Sequence, residues 1–250
     1  MSQRPPASIG QRLEEVDTPA LVLDLDAFER NLETLKQAVA GKARVRAHAK
    51  THKSPEIARR QIAAGAVGVC CQKVSEAEAL VEGGVQDVLV SNEIVGAPKI
   101  ARLAALSRRA RLGVCVDNLD NLRQIAASGG RLDVYIELEV GMGRCGIAPG
   151  EPALALAREI AKAPGLRFGG LQAYHGRAQH MRTMAERRAH IARAAEAVNA
   201  TKALFKRNGI DTPIVTGAGS GTFMFEVESV ARTKRACSKR GSGAAHSLRA

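Results

Sequence analysis

The sequence predicts an α/β protein, a (β/α)8 barrel of the TIM type, and three observations carry this prediction. Short apolar runs rich in β-branched residues alternate seven times with amphipathic helical segments. The runs lack the polar alternation of half-exposed strands, as expected for strands covered on both faces. Polar side chains follow nearly every run, and a barrel gathers such strand ends at one mouth. A doubly wound sheet, the alternative, would spread them apart.

Seven segments are predicted to form the parallel strands of this barrel. They span residues 44–50, 66–71, 87–92, 111–117, 133–140, 166–174 and 212–219. An eighth strand-like run, residues 19–27, precedes them, and we place it outside the barrel sheet. Each pair of parallel neighbours needs a crossover segment, which the intervening helices supply.

Start signals mark the helices between the strands. Asp26 and Glu29 predict a capping box for the first helix, and Ser75 with Glu78 predicts another for the third. Ser54 precedes a proline that suits the first helical position of the second helix. Further helices are predicted over about residues 97–109, 118–128, 152–163 and 180–208.

The formal net charge of +12 is compatible with binding to nucleic acid. Much of the excess lies within residues 230–250, and the rest is scattered along helices. The chain has no Trp, two Tyr and five Phe, so no aromatic platform for stacking bases accompanies the basic residues. We therefore expect a solvated basic face and no nucleic-acid partner.

Signals for export and for membrane insertion are not found in the sequence. No apolar run approaches the roughly 18–20 residues that span a bilayer, and residues 1–15 lack the apolar stretch of a secretory signal. The five cysteines show no CxxC spacing, so neither a disulfide framework nor a zinc ribbon is indicated. The sequence thus predicts a cytoplasmic protein without a membrane partner.

Lys50 is the first candidate catalytic residue, since it ends the first predicted strand in the stretch RAHAKTHKS. An amine that is desolvated at a barrel mouth loses basicity and becomes a nucleophile towards aldehydes. A surface lysine at a strand end is the alternative, which suits Lys53. His52 lies just beyond the strand and is predicted as a proton-transfer group. His48 and His52 lack the HExxH pattern, so no zinc site is predicted.

Two glycine-rich stretches follow predicted strands. GMGRCG (141–146) matches the dinucleotide pattern GxGxxG, but residues 148–152 separate it from the next helix, whereas a dinucleotide loop opens directly into one. We interpret it as a tight turn presenting Arg144, a permanent cation suited to a phenolate or carboxylate. TGAGSGT (216–222) offers backbone amides and hydroxyls to a phosphate, with a flexible turn as the alternative.

Tyr174 ends another predicted strand in GLQAYHG, where its ring can stack on a flat cofactor or pack the rim of the barrel. The strand ends together provide an amine nucleophile, a phosphate cradle, a fixed cation and an aromatic face. This set of groups is suited to pyridoxal phosphate, whose ring acts as an electron sink.

These motifs resemble those of the D-threonine aldolase and D-serine dehydratase family, fold-type III pyridoxal-phosphate enzymes with an alanine-racemase-like N-terminal barrel. The matching stretches keep the family's order and cover about residues 13–228. They are DTPALVLDLDAFERNL (17–32), RAHAKTHKSPEIA (46–58), GMGRCGI (141–147), GLQAYHGRAQH (170–180) and VTGAGSGTF (215–223).

The resemblance implies a role for each candidate residue. Lys50 binds the cofactor covalently, Tyr174 flanks its ring, and His52 is a proton-transfer residue. Arg144 stands where related racemases place an arginine against the phenolic oxygen of the ring. The implied phosphate-binding set is Thr216, Gly219, Ser220, Gly221 and Thr222.

The resemblance ends after Glu228. The family pattern continues there into the last barrel strand and a β-rich C-terminal domain, whose His and Asp or Cys hold a divalent metal. Residues 230–250 instead lack strand periodicity, which is typical of a disordered tail. We expect an arm over residues 1–16, a barrel over residues 17–229 without its last strand, and a basic tail. No metal ligands are predicted, and we expect little or no activity from the polypeptide as it stands.

The resemblance implies a lyase that cleaves D-3-hydroxy-amino acids to glycine and an aldehyde, with Mn²⁺, Mg²⁺ or Zn²⁺ polarising the β-hydroxyl. The GLQAYHG and GAGSGT stretches favour this aldolase over a D-serine or D-3-hydroxyaspartate dehydratase. A non-catalytic barrel that binds pyridoxal phosphate is a further alternative. A racemase is disfavoured because such enzymes use a tyrosine of the second domain as a base. The expected partner is a small D-amino acid, with a homodimer as one option for assembly.

Overall fold

The computed structural model describes residues 7–231, in which helices and strands alternate. The helices are α1 (Leu25–Val39), α2 (Pro55–Ala63), α3 (Val74–Glu82), α4 (Ala97–Leu106), α5 (Leu119–Ala127), α6 (Glu151–Lys162), α7 (Met184–Arg207) and α8 (Phe223–Ala231). The strands are β1 (Ala47–His48), β2 (Val69–Cys71), β3 (Asp87–Glu93), β4 (Arg111–Val116), β5 (Leu132–Glu137), β6 (Leu166–Gln172) and β7 (Val215–Thr216). Short 3₁₀ turns cover Leu13–Glu15 and Gly176–His180. No helix of the described part is long and apolar enough to cross a bilayer.

All seven strands are parallel and lie in the order of the chain, from β1 at one edge to β7 at the other. The central strands pair most extensively. In the β4–β5 pair, for example, Leu112 lies opposite Leu132 and Val116 opposite Ile136. The sheet curls into an open barrel with the helices outside it. The predicted fold class and the seven predicted strands are therefore confirmed.

Successive residues of a strand enter two different cores, because side chains alternate across the sheet. Val134 and Ile136 of β5 are fully buried in the large cluster between strands and helices. Tyr135, between them, faces the barrel interior with Leu89 and Cys115. Both faces of the sheet are thus covered by apolar side chains, which explains why the strand sequences show no polar alternation.

Ion pairs join the amino ends of the strands. Arg46, directly before β1, contacts the carboxylate of Asp87 on β3 at 2.7 Å. The carboxylate of Asp133 on β5 forms ion pairs with Arg111 of β4 at 2.8 Å and with Arg167 of β6 at 2.6 Å. Burial raises the pKa of Asp133, but the hydrogen bonds from the two arginines outweigh burial, and the pKa lies below its ordinary value. Part of the excess of arginine is therefore paired within the fold.

The early run, residues 19–27, does not form the predicted strand. Residues 19–24 are irregular and α1 begins at Leu25. The side chains of Leu21 and Val22 are exposed. A strand forms only against a partner backbone, and no strand of the described residues lies beside this segment.

The predicted caps of two helices are also wrong. Asp24, and not Asp26, caps α1, because its carboxylate accepts the backbone N–H of Ala27 at 2.9 Å. α3 begins after Lys73, without a side-chain cap. Glu78, the predicted partner in the second capping box, instead pairs with Arg102 of α4. Ser54 does cap α2 as predicted.

The edge strands and the last long helix are shorter than predicted. β1 and β7 contain two residues each, because each has a neighbour on one side only. Residues 176–180 form a 3₁₀ turn, so α7 begins at Met184 and not near residue 180. The expected basic tail, residues 230–250, lies outside the described residues apart from the last turn of α8.

Candidate active site at the carboxyl ends of the strands

The carboxyl ends of the strands place polar side chains at one end of the sheet. Lys50 follows β1, Glu137 ends β5, Tyr174 follows β6 and Thr216 ends β7. Because all strands are parallel, these positions share one end of the barrel. The candidate residues of the sequence analysis therefore occupy the end at which barrel proteins carry their active sites.

Lys50 lies beside a neutral histidine. Its side chain is exposed, and its backbone N–H donates to Nδ1 of His48 at 3.2 Å. The Nε2 atom of His48 lies 3.3 Å from the hydroxyl of Ser91. Burial lowers the pKa of His48 to about 4, with the positive charges of Lys50 and Arg144 acting in the same direction. His48 is therefore a neutral ring in the positive field of Lys50 and Arg144.

His52 faces the start of α2. Its Nδ1 accepts the backbone N–H of Ser54 at 3.1 Å. Its Nε2 is buried, and the ring also interacts with the side chain of Gln61. Burial lowers the pKa of His52, so the ring is neutral near pH 7. The structure therefore gives His52 a contact at the start of α2 through one ring nitrogen and buries the other, and its role in proton transfer stays a prediction.

The GMGRCG turn is held by the protein's own carboxylates. Glu139 accepts the backbone N–H groups of Gly141 and Gly143 at 2.5 and 2.8 Å. Asp117, beyond β4, accepts that of Gly146 at 3.0 Å. Amides engaged in this way are not available to a phosphate, which agrees with the rejection of a dinucleotide loop. The turn instead fixes the position of the arginine within it.

Arg144 lies between an aromatic ring and a buried acid. Its guanidinium carbon is 5.7 Å from the centroid of the Tyr174 ring, and Nη2 is 3.5 Å from Oε1 of Glu137. Glu137 is only 2% exposed, and its Oε2 has no hydrogen-bond partner in the described chain. Burial, and then the charge of Glu93, raise the pKa of Glu137 to about 7. The arginine is therefore fixed at the barrel mouth by groups that the fold positions.

Glu93, Glu137 and Cys145 form the one group of three potential metal ligands in residues 7–231. Their ligand atoms lie within 4.8 Å of one another. Burial raises the pKa of Glu93 and raises that of the Cys145 thiol to about 11. The guanidinium of Arg144 lies 3.5 Å from the Glu137 carboxylate and would compete with a metal ion for it. The group is thus a local acidic cluster whose charge is partly balanced by an arginine.

Tyr174 is anchored by Gln179, a residue of the 3₁₀ turn Gly176–His180. The Nε2 of Gln179 donates to the Tyr174 hydroxyl at 2.6 Å, and its Oε1 accepts the backbone N–H of Gly221 at 3.2 Å. A Cβ at Gly176 would lie 2.7 Å from the tyrosine ring, so the ring requires a glycine there. One face of the ring receives Arg144, and its hydroxyl is tied to the glycine-rich loop.

The 216–222 loop closes onto the start of α8. The N–H groups of Thr222 and Phe223 both donate to the carbonyl of Gly219, at 3.0 and 2.9 Å. The Thr222 hydroxyl donates to Glu226 at 2.9 Å and is buried, so it faces the protein interior. Ser220 remains exposed before the helix. Of the two predicted hydroxyl donors, therefore, Ser220 is the one accessible to a phosphate.

A cleft of about 430 Å³ lies between the two edge strands. The loop residues Thr216, Gly219 and Ser220 line it on the β7 side, and His48 lines it on the β1 side. Helices α1, α7 and α8 surround it with mainly apolar side chains. The cleft joins the phosphate loop to the strand that leads to Lys50.

Three residues of this site have no role in the sequence predictions: Glu93, Glu137 and Gln179. A signal for Glu137 was present, because a lone acid inside the apolar run DVYIELEV is costly to bury. No comparable signal exists for Gln179, whose two contacts depend on how β6, α7 and α8 pack.

Comparison with known proteins gives a family match. The model of the alanine racemase N-terminal domain matches residues 23–235. D-threonine aldolase from Arthrobacter sp. is 49% identical over 232 residues, which is 90% of this chain and 61% of the relative. 3-hydroxy-D-aspartate aldolase from Paracoccus denitrificans (strain Pd 1222) is 43% identical over 235 residues, 90% of this chain and 60% of the relative.

A solved structure shows the same fold. The crystal structure of D-threonine aldolase from Filomicrobium marinum superposes with a TM-score of 0.88 and 50% identity, over 92% of this chain and 63% of that one. The match to D-threo-3-hydroxyaspartate dehydratase from Delftia sp. (strain HT23) is more distant, at 31% identity over 83% of this chain and 56% of the relative. The chain spans about three fifths of the length of its aldolase relatives.

Proposed function

This chain belongs to the alanine racemase N-terminal domain family, and we propose that it forms the cofactor-binding part of a pyridoxal-phosphate-dependent lyase. The proposed reaction cleaves a D-3-hydroxy-amino acid, such as D-threonine, to glycine and an aldehyde. The names of two similar proteins, both aldolases acting on substrates of this class, support the reaction. The single observation that carries the proposal is the gathering of an exposed lysine, a fixed arginine–tyrosine pair and a glycine-rich loop at one barrel end.

The described residues fit pyridoxal phosphate. A phosphate suits the exposed Ser220 and the amino end of α8, where the helix dipole favours negative charge. Gly219, at the centre of this loop, is buried against Gln179 and leaves no room for a larger side chain. Lys50, beyond the opposite edge strand, supplies the only kind of side-chain amine that can hold the cofactor aldehyde covalently. These features support the predicted cofactor.

The chain's own residues would divide the work of the reaction. When bound, the cofactor supplies an electron-withdrawing ring that stabilises negative charge on the amino acid. Arg144 provides a permanent positive charge at the mouth, held by Glu137 and Tyr174. Neutral His48 lies beside Lys50, and His52, two residues beyond Lys50, is the proposed proton-transfer residue.

The divalent metal implied by the resemblance does not fit the described residues. The family set is a His with an Asp or Cys, whereas the group found within residues 7–231 is Glu93, Glu137 and Cys145. The carboxylate of Glu137 is also engaged by Arg144. The described residues at the barrel mouth therefore do not form the implied metal site. We also propose that the protein forms a homodimer and is located in the cytoplasm.

A dehydratase acting on D-3-hydroxyaspartate is the second candidate function. Its support is the similarity to the Delftia enzyme. The higher identity to the two aldolases favours the aldolase. The products distinguish the two, because an aldolase releases glycine and a dehydratase releases ammonia. A non-catalytic barrel that binds the cofactor would release neither.

The test is an assay of this chain, alone and fused to the C-terminal two fifths of the Arthrobacter aldolase. Both proteins receive pyridoxal phosphate, Mn²⁺ and either D-threonine or L-threonine. We expect the fused protein to release glycine and acetaldehyde from D-threonine only, and the chain alone to release little or none. Cofactor binding without cleavage by the fused protein would contradict the lyase proposal and favour the non-catalytic barrel. Equal turnover by both proteins would contradict the expectation for the chain alone.

A further inference from the structure

The side chain of Gln179 connects two parts of the proposed site that come from different elements. Its amide nitrogen donates to the hydroxyl of Tyr174, beyond β6, at 2.6 Å. Its amide oxygen accepts the backbone N–H of Gly221, before α8, at 3.2 Å. A glutamine amide offers a donor and an acceptor a short distance apart, and here each has a matching partner.

The backbone of Gln179 is itself held in place. Its neighbour Ala178 is fully buried in a small cluster with Ile191 of α7 and Phe225 of α8. The side chain amide lies directly over Gly219, since a Cβ there would approach Cδ of Gln179 to 2.3 Å. The absence of a side chain at Gly219 therefore creates the space in which the Gln179 amide lies.

Two further contacts extend this arrangement. The guanidinium of Arg144 lies over the ring of Tyr174. A displacement of the ring would therefore remove a contact that holds Arg144 in place. Arg187 of α7 donates to the carbonyl of Gly221 at 3.4 Å, on the same loop that Gln179 holds by the N–H. The aromatic ring and the loop thus share Gln179 as a common contact, and Arg144 is linked to Gln179 through the Tyr174 ring.

We propose that Gln179 is the positioning residue of the cofactor site, setting the Tyr174 ring and the 216–222 loop relative to each other. This inference rests on the proposed function, because the ring and the loop are assigned there to the cofactor. Gln179 acts through Tyr174 and Gly221 and takes no part in bond making. It fixes the distance between the group that flanks the cofactor ring and the group that holds its phosphate.

The test compares Gln179→Met, which keeps the length of the side chain without its hydrogen bonds, with Gln124→Met on the exposed face of α5 as the matched control. The affinity of each protein for pyridoxal phosphate and for pyridoxal is measured by absorbance titration. We expect Gln179→Met to weaken pyridoxal phosphate binding by about tenfold or more, from the loss of two hydrogen bonds. We expect a smaller loss for pyridoxal, which lacks the phosphate. The control should match the wild type.

A double-mutant cycle with Tyr174→Phe separates positioning from a general structural effect. If Gln179 acts through the tyrosine hydroxyl, Gln179→Met should cost less affinity in the Tyr174→Phe protein than in the wild type. Gln179→Ala removes both hydrogen bonds without adding length or charge, so it repeats the test should the Met variant not fold. Additive effects in the cycle, or wild-type affinity in Gln179→Met, would overturn the proposal.

The position of the Tyr174 ring can also be tested spectroscopically in the protein without cofactor. The chain has two tyrosines and no tryptophan, and the other tyrosine, Tyr135, lies in the barrel interior. The near-ultraviolet circular dichroism of the cofactor-free protein should therefore change in Gln179→Met and not in the control. If the wild type binds no pyridoxal phosphate, the proposed function fails, while an altered tyrosine signal still supports the role of Gln179. An unaltered signal would contradict that role.

Discussion

Arg144 at the barrel mouth depends on its neighbours for a fixed position. A long flexible side chain loses rotamer freedom when it is held in one place, and neighbouring groups must compensate. Here Tyr174 stacks on one side and the carboxylate of Glu137 lies 3.5 Å from the guanidinium. The acid is buried near Glu93, so its charge is costly and its pKa is raised to about 7. The position of the arginine is therefore linked to the protonation of Glu137.

We predict that Glu137→Gln changes how stability depends on pH. A carboxyl whose folded-state pKa is raised from 4.5 to about 7 stabilises the fold below pH 4.5. That contribution is lost as the pH rises towards 7, because the folded state then releases its extra proton. Relative to the Gln variant, the wild type should lose on the order of 3 kcal/mol between these two pH values. Urea unfolding at a series of pH values measures this, and parallel curves would contradict the assignment.

Gly219 is predicted to tolerate substitution less than Gly221. A Cβ at Gly219 would come within 2.3 Å of the Gln179 amide carbon, whereas a Cβ at Gly221 would meet nothing closer than 3.4 Å. Gly219→Val should weaken pyridoxal phosphate binding by about tenfold or more, through displacement of Gln179 and the loop. Gly219→Ala should weaken it more than Gly221→Ala does. Wild-type affinity of Gly219→Val in an absorbance titration would show that the loop is only a turn, and equal affinities of the two Ala variants would contradict the difference in space.

Residue types could be selected from the sequence, but their partners could not. Lys50, Arg144 and Tyr174 stand out because such side chains are unusual at the ends of apolar strands. The direction of the Thr222 hydroxyl could not be predicted, since it depends on Glu226 lying one helical turn further along α8. The link from Tyr174 through Gln179 to the loop joins separate elements, and a single sequence contains no record of that contact.

Helix α1 begins where one of two nearby aspartates caps it. Asp24 and Asp26 are both good N-cap residues, and the sequence pattern alone favoured the second. The structure uses Asp24, whose side chain reaches the N–H of Ala27, and Asp26 becomes part of the first turn. The helix thereby gains Leu25 and an acidic residue near its positive end, which the helix dipole favours.

We predict that Asp24→Ala destabilises the chain by about 1 kcal/mol, from loss of the cap of α1. Asp26→Ala, two residues later, should cost less, on the order of 0.3–1 kcal/mol from its interaction with the helix dipole. The free energy of unfolding, measured by urea denaturation of both variants, distinguishes them. A larger loss of unfolding free energy in Asp26→Ala would contradict this result and support Asp26 as the cap of α1.

The seven strands and the helices between them could be predicted because their apolar runs and breaks repeat regularly. The early run, residues 19–27, has the same composition but forms no strand, since strand formation needs a neighbouring backbone as well as suitable residues. Strand length at β1 and β7 depends on the same condition. Sequence pattern therefore identifies which segments can pair, and the packing of the chain decides which do.

At the scale of the whole molecule, the two edges of the sheet carry the two halves of the proposed cofactor site. Lys50 follows the edge strand β1, and the phosphate loop follows the edge strand β7. The cleft of about 430 Å³ lies between them. The distance between the lysine and the loop is thus set by the curl of the entire sheet, which the ion pairs of Asp133 help to hold.

We propose that Lys50 holds pyridoxal phosphate covalently, and the assignment of the whole site depends on this bond. The most direct measurement is borohydride reduction of the protein mixed with pyridoxal phosphate, followed by peptide mass spectrometry to locate the reduced cofactor. We expect the label on Lys50 in the wild type and in Lys53→Ala, whose side chain is exposed and contacts Glu76 at 3.8 Å. We expect no specific label in Lys50→Ala, together with loss of the absorbance band of the lysine-bound cofactor. The same extent of labelling in Lys50→Ala, or label spread evenly over other lysines, would contradict the claim.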